Sequence, residues 1–186
     1  MSIQVLNPTH EGDFKSFKAA EGLKSLKGAK VGIISNGKKG TFYFFNALEE
    51  LLIKNHGVKK VIRVVKKNYS APAESEILTE VKKWDAVVAG VGDWGSCSSC
   101  SLHDSIKSEQ LGIPSISIMT SKFVSAAEMM SRALGAEEYA FVIIDHPISS
   151  ASKDKLKIQA SIALKEGVNL ILMSKRKIIS QVILWV

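Results

Sequence analysis

Cysteine is scarce here, with two in 186 residues. They are Cys97 and Cys100, too close together to staple distant parts of a fold. A disulfide scaffold is therefore excluded, and a chain of this length can bury enough apolar surface to fold without one. Arginine is scarcer than the charge would suggest, occurring only at Arg63, Arg132 and Arg176. The planar forks that favour phosphate and base recognition are correspondingly few. The formal net charge of +7 comes mainly from dispersed lysines, densest at Lys175-Arg176-Lys177. It reads as solvated surface and as a field suited to an anionic small-molecule substrate, so no nucleic-acid partner is expected. Long apolar runs are missing as well. The tail from Ile178 to Val186 falls short of the about 20 residues a membrane-crossing helix needs, so no membrane partner is expected and the tail reads as a packed terminal strand or helix. No apolar stretch follows a basic start between Met1 and Glu11, which leads to an expected cytoplasmic location. Neither a linker nor an internal repeat interrupts the chain, so residues 1–186 read as one α/β domain.

What is present is a rhythm of apolar runs and amphipathic stretches, the pattern of a parallel sheet covered on both faces. Five strands are expected, at Lys30 to Ser35, Val58 to Val65, Asp85 to Val91, Ser115 to Met119 and Tyr139 to Asp145. The first helix starts near Thr41, carries Phe45, Leu48, Leu51 and Leu52 inward, and ends at Gly57. Ser70 and Pro72 suggest the start of a second helix that ends near Trp84. Ser101 and Asp104 resemble a capping box and place the start of a third helix after a loop from Gly92 to Cys100. Ser121 is read as the cap of a fourth helix bearing Phe123, Ala127, Met130 and Leu134; a last helix carries Leu156, Ala160, Ala163 and Leu164. The leading topology is a doubly wound, mostly parallel five-stranded sheet of flavodoxin-like type. In such sheets ligands gather beyond the carboxyl ends of the strands, which selects Asn36, Lys38, Asp93, Cys97, Thr120 and His146 as one edge.

Cys97 and Cys100 form a Cys-x-x-Cys pair, and in a cytosolic α/β protein this reads first as a redox motif. Two thiols at this spacing on a turn entering a helix can close a small ring, and the helix amino terminus favours the thiolate. The glycine- and serine-rich surroundings offer little to cover sulfur, so an exposed thiolate at Cys97 is expected. Three alternatives stay open. Cys97, Cys100 and His103 could supply three metal ligands, although structural zinc usually shows two such pairs and no metal is assigned. Cys97 could act as a nucleophile with His103 as base, in a hydrolase or lyase, although His103 and its neighbour Asp104 point in different directions on a helix. A noncatalytic small-molecule binding domain of the same fold is the third. Lys38 and Lys39, in the short glycine turn Gly37 to Gly40, would suit a carboxylate or phosphate on the substrate.

The run Gly92-Asp93-Trp94-Gly95-Ser96-Cys97, followed by His103-Asp104, resembles the signature of the UGSC family, named for selenocysteine-Gly-Ser-Cys. Val5-Leu6-Asn7-Pro8-Thr9, Gly32 to Lys38, Gly112-Ile113-Pro114, Thr120 with Phe123, Ala133-Leu134-Gly135 and His146-Pro147 resemble its pattern too. The resemblance implies a thiol or selenol oxidoreductase in which selenocysteine or cysteine stands at the position of Trp94 and pairs with Cys97. The tryptophan codon differs by one base from that of selenocysteine, so position 94 is expected to be natively selenocysteine. On this reading Cys97, Cys100, Asp93 and His103 join position 94 in the chemistry. Asn36, Lys38, Gly92, Gly95, Ser96, Asp104, Thr120 and His146 bind the substrate. No bound cofactor is expected beyond that selenocysteine. An external thiol reductant, a redox partner protein and a homo-oligomer are all compatible with the sequence.

Overall fold

The computed structural model describes residues 17–137 and 139–172. Five strands, β1 (Lys30–Ser35), β2 (Lys60–Val65), β3 (Ala86–Gly92), β4 (Ser115–Thr120) and β5 (Val142–Ile144), form one parallel sheet in the order β2-β1-β3-β4-β5. This is the doubly wound, flavodoxin-like arrangement. β3 and β4 are buried at every position, as their unbroken apolar and small-residue runs require of central strands. β2 lies at the edge and is only half-buried.

Strand side chains alternate between the two faces. Val31, Ile33, Val88, Ile116 and Ile118 pack under α1 (Thr41–His56) and α5 (Lys153–Leu172). Ile34, Val87 and Ala89 lie on the other face with Trp84 and Val81, and Met119 joins Leu102, Ile106 and Ala127 there. That second face carries α2 (Ser75–Val81), α3 (Gly95–Gln110) and α4 (Val124–Ala133). α1 ends where the sequence places it, with Gly57 in the left-handed conformation at φ +64°. Leu156, Ala160, Ala163 and Leu164 are the buried stripe of α5. No helix among the described residues is long and apolar enough to cross a membrane.

Three helix starts differ from expectation. α3 opens at Gly95, so Cys97 and Cys100 lie inside a helix rather than in a loop before one, and Ser101 and Asp104 are interior. The run Gly-Ser-Cys-Ser-Ser-Cys-Ser has poor intrinsic helix propensity, but tertiary packing decides. The small side chains let α3 lie close on β3: a methyl group on Gly92 would come within 2.7 Å of Ser98 Cα. α2 opens at Ser75 after Glu74, leaving Ser70 and Pro72 in the preceding loop. Ser121 begins a short 3₁₀ turn, Ser121–Phe123, before α4, and Leu134 lies just past that helix. β5 starts at Val142, later than Tyr139. The apolar tail from Ile178 to Val186 and the Val5 to Thr9 segment lie outside the described residues.

Candidate active site at the carboxyl edge of the sheet

The chain leaves β1 for β2 on one side and returns to β3 on the other, so the loops after β1 and β3 diverge and open a crevice between them. Asn36 laces this point together. It is buried, its backbone N–H donates to Gly90 O at 2.9 Å, its Nδ2 donates to Val91 O at 2.5 Å, and its Oδ1 accepts from Lys38 N at 3.2 Å. Asn36 is therefore spent on holding the two loops rather than open to a ligand. Gly40 adopts φ +91°, and a side chain there would meet Ile148 O at 2.5 Å. Glycine is needed both for that backbone and for the close approach of the loop after β5.

Trp94 is the amino-terminal cap residue of α3, extended in backbone and 59% exposed. It makes no side-chain capping bond, as an indole carries no acceptor for the first free N–H groups of the helix. Lys38 Nζ stands over its ring at 5.1 Å and over Tyr69 at 4.7 Å. Ser96 is exposed, with Oγ 3.2 Å from Ser70 Oγ, and Gly95 has open space where a side chain would stand.

Cys97, three residues along, is fully buried, which corrects the expectation of an exposed thiolate. The small residues of this turn do not leave it open, because they let α3 lie close against the end of β3. Cys100 is 8% exposed. Burial pushes its thiol above the usual range; Lys66 opposes the shift, while Asp104 and Cys97 add to it. The lowered thiol pKa read from the motif therefore does not apply to Cys100. Iodoacetamide is expected to label Cys97 and Cys100 at least about 10²-fold more slowly in the native protein than in the unfolded chain, because labelling waits on local opening. Rapid native labelling of Cys97 would contradict the burial.

Asp93 is buried and takes three donors or partners at once: Ile148 N on Oδ1 at 3.1 Å, Ser149 N on Oδ2 at 3.2 Å, and His146 Nδ1 at 3.0 Å from Oδ1. Thr120 Oγ1 lies 3.1 Å from the same His146 nitrogen, and Phe123 meets the imidazole edge-on. The ends of β3, β4 and β5 thus converge on one histidine. His103 is not part of this group. It stands in the third turn of α3, its Nδ1 is 3.6 Å from Asp104 Oδ1, and that nitrogen is buried with no hydrogen-bond partner. The pairing of Cys97 with His103 as base is thereby not assembled.

Asp104 also leaves the open edge. Its Oδ2 accepts from Lys66 Nζ at 2.7 Å and its Oδ1 from Ala73 N at 2.7 Å, with both charged side chains 1% exposed. Lys66 further donates to Ala71 O at 2.6 Å. This ion pair ties the end of β2 and the loop before α2 to α3, and Lys66 was not singled out by sequence. Its place just beyond a strand's carboxyl end, shared with Asn36, Asp93 and His146, is the signal that would have found it. Among the described residues no three His, Cys, Asp or Glu side chains stand close enough to hold a metal ion, so the ligand series read from Cys97, Cys100 and His103 is not formed.

The sheet order and the residues at its carboxyl edge define a flavodoxin-like α/β protein with a cysteine-bearing helix entering at the switch point. The family model of the UGSC family matches residues 4–173, and the chain belongs to that family. No curated protein matches it.

Proposed function

We propose that the chain is a thiol- or selenol-dependent oxidoreductase acting on an anionic small molecule, with residue 94 natively selenocysteine. The observation that carries this reading is the contrast across the first turn of α3: position 94 is exposed at the cap, and Cys97 is buried three residues on. An attacking group must meet substrate, whereas a resolving thiol need only meet its partner. A selenolate or thiolate at position 94 would also accept the helix's free N–H groups and lie in the field of Lys38, both of which favour the anion. Attack on a disulfide joins one substrate sulfur to position 94 and expels the other as thiolate. Cys97 then displaces the bound sulfur, leaving a selenenyl sulfide or disulfide between 94 and 97, and an external dithiol reduces it. The substrate gains two electrons and the pair loses two.

Cys100 has no step in this cycle: it lies six residues from position 94, nearly two helical turns along α3, whereas Cys97 lies one turn away, and burial also raises its thiol pKa. The Trp94→Cys variant tests the reading. Mild oxidation should remove the mass of two hydrogens and leave a 94–97 cross-link in the peptide map, reversed by a dithiol. The variant should then reduce small disulfides at least on the order of 10²-fold faster than the Trp94 protein, whose exposed position lacks a nucleophile. A Trp94→Cys protein that forms no such link, or a source gene with an unambiguous tryptophan codon at this position, would count against the proposal.

A further inference from the structure

The geometry around His146 points to a second working group in the site. We infer that His146 is the acid that protonates the thiolate expelled when residue 94 attacks, and that Asp93 and Thr120 are its positioning residues. The inference rests on the oxidoreductase reading and deepens it.

Three observations carry it. Asp93 is the residue immediately before position 94, so the histidine it holds is tied to the same end of β3 from which the attacking group projects. The carboxylate is itself fixed by two backbone donors, Ile148 N and Ser149 N, and is buried. An ionised carboxylate only accepts, so the 3.0 Å contact requires the proton of the neutral ring to sit on Nδ1. Thr120 Oγ1 lies on the same nitrogen at 3.1 Å, and Phe123 fixes the ring's tilt from the start of α4. Nε2 is then the nitrogen that gains and loses a proton. Among the described residues nothing takes it, on a side chain 29% exposed. The arrangement is that of an oriented acid-base histidine, with a buried carboxylate behind it and its working nitrogen outward.

In the first displacement the bond from residue 94 to substrate sulfur forms, the substrate's S–S bond breaks, and the imidazolium gives its Nε2 proton to the departing thiolate. The proton released by Cys97 as it attacks in the second displacement neutralises the second thiolate. The two displacements therefore take up one proton from solvent for a site that starts with residue 94 ionised, reduction of the 94–97 link by the dithiol returns it, and electrons balance as before.

A poor leaving group needs the acid and a good one does not, so the test is a split by leaving group in the full-length Trp94→Cys protein. Two probes suffice: an alkyl disulfide, whose thiol has an ordinary pKa, and a nitro-substituted aryl disulfide, whose thiolate leaves unaided. His146→Gln is expected to lower single-turnover reduction of the alkyl probe by on the order of 10²-fold and of the aryl probe only a few-fold. Nitrogen-15 spectra of the neutral ring should show Nδ1 protonated and Nε2 bare, with the two forms mixed in Asp93→Asn. Equal losses on both probes would mean a structural role, and no loss on either, or a proton on Nε2, would also overturn the inference while the redox reading stands. If the Trp94→Cys protein with His146 intact reduces neither probe, the oxidoreductase reading itself fails and this inference falls with it.

Discussion

Replacing Cys97 by serine in a protein that carries cysteine at position 94 is expected to stop turnover after the first chemical step. Steady-state disulfide reduction should fall by on the order of 10³-fold or more, the scale on which removing one member of a covalent unit acts. The first displacement should survive, so one equivalent of substrate thiol is released and the other half of the substrate stays attached to residue 94. Intact-protein mass spectrometry would read that adduct directly. Cys100→Ser in the same background should keep turnover within a few-fold, since that thiol lies nearly two helical turns from position 94, beyond the one-turn spacing of Cys97. The two variants separate a 94–97 pair from a 97–100 pair. Loss of turnover in Cys100→Ser with an unchanged fold would return the chemistry to the Cys-x-x-Cys motif. Serine at position 97 places a hydroxyl where a fully buried thiol stood, a cost of roughly 1–3 kcal/mol that circular dichroism and thermal unfolding would register.

The largest stability effect is expected from the buried Lys66–Asp104 pair. Asp104→Ala strands an ammonium group that is 1% exposed in the native protein, and breaking a buried pair from one side costs about 3–5 kcal/mol. For a chain of this size that corresponds to a drop in Tm of roughly 6–20 °C. Part of the loss comes from Ala73, whose N–H loses its acceptor at the same time. Lys66→Met leaves Asp104 with that backbone donor and should cost less. The double variant Lys66→Met with Asp104→Leu should recover much of the deficit, because no charge is then left unpaired. Denaturant titrations of the three proteins decide the matter. An Asp104→Ala protein destabilised by less than about 1 kcal/mol would mean that Lys66 escapes to water, contrary to its position here.

The sheet was legible because its strands are short runs rich in apolar residues between turn residues; β3 is apolar or glycine throughout, and β4 buries its small serines together with its isoleucines. Gly57 and the stripe Leu156, Ala160, Ala163, Leu164 needed only local chemistry. The beginning of α3 did not obey local chemistry. Its first two turns are glycine, serine and cysteine, a composition that reads as loop, and only the close fit of those small residues against β3 makes them helical. Small polar neighbours likewise look open in sequence, yet inside α3 Cys97 is fully buried. Lys66, and with it the role of Asp104 as its buried partner, stayed hidden for a different reason. Lys66 alone resembles a solvated surface charge, Asp104 reads locally as a helix cap, and their pairing spans 38 residues. His146 was placed at the right edge as a ligand-binding residue, but its bond to Asp93 comes from strand order, which no local pattern encodes.

The enclosure of Cys97 has a bearing on how the protein would age in the presence of peroxide. In a protein that carries selenocysteine or cysteine at position 94, oxidants dissolved in water would reach that residue first, and a selenenic or sulfenic acid formed there would have a thiol waiting one helical turn away. Condensation with that thiol expels water and halts the ladder at a reversible rung, before sulfinic or seleninic acid can form. A partner kept out of solvent is thus also a partner kept in reserve, still reduced when the outer atom has been struck.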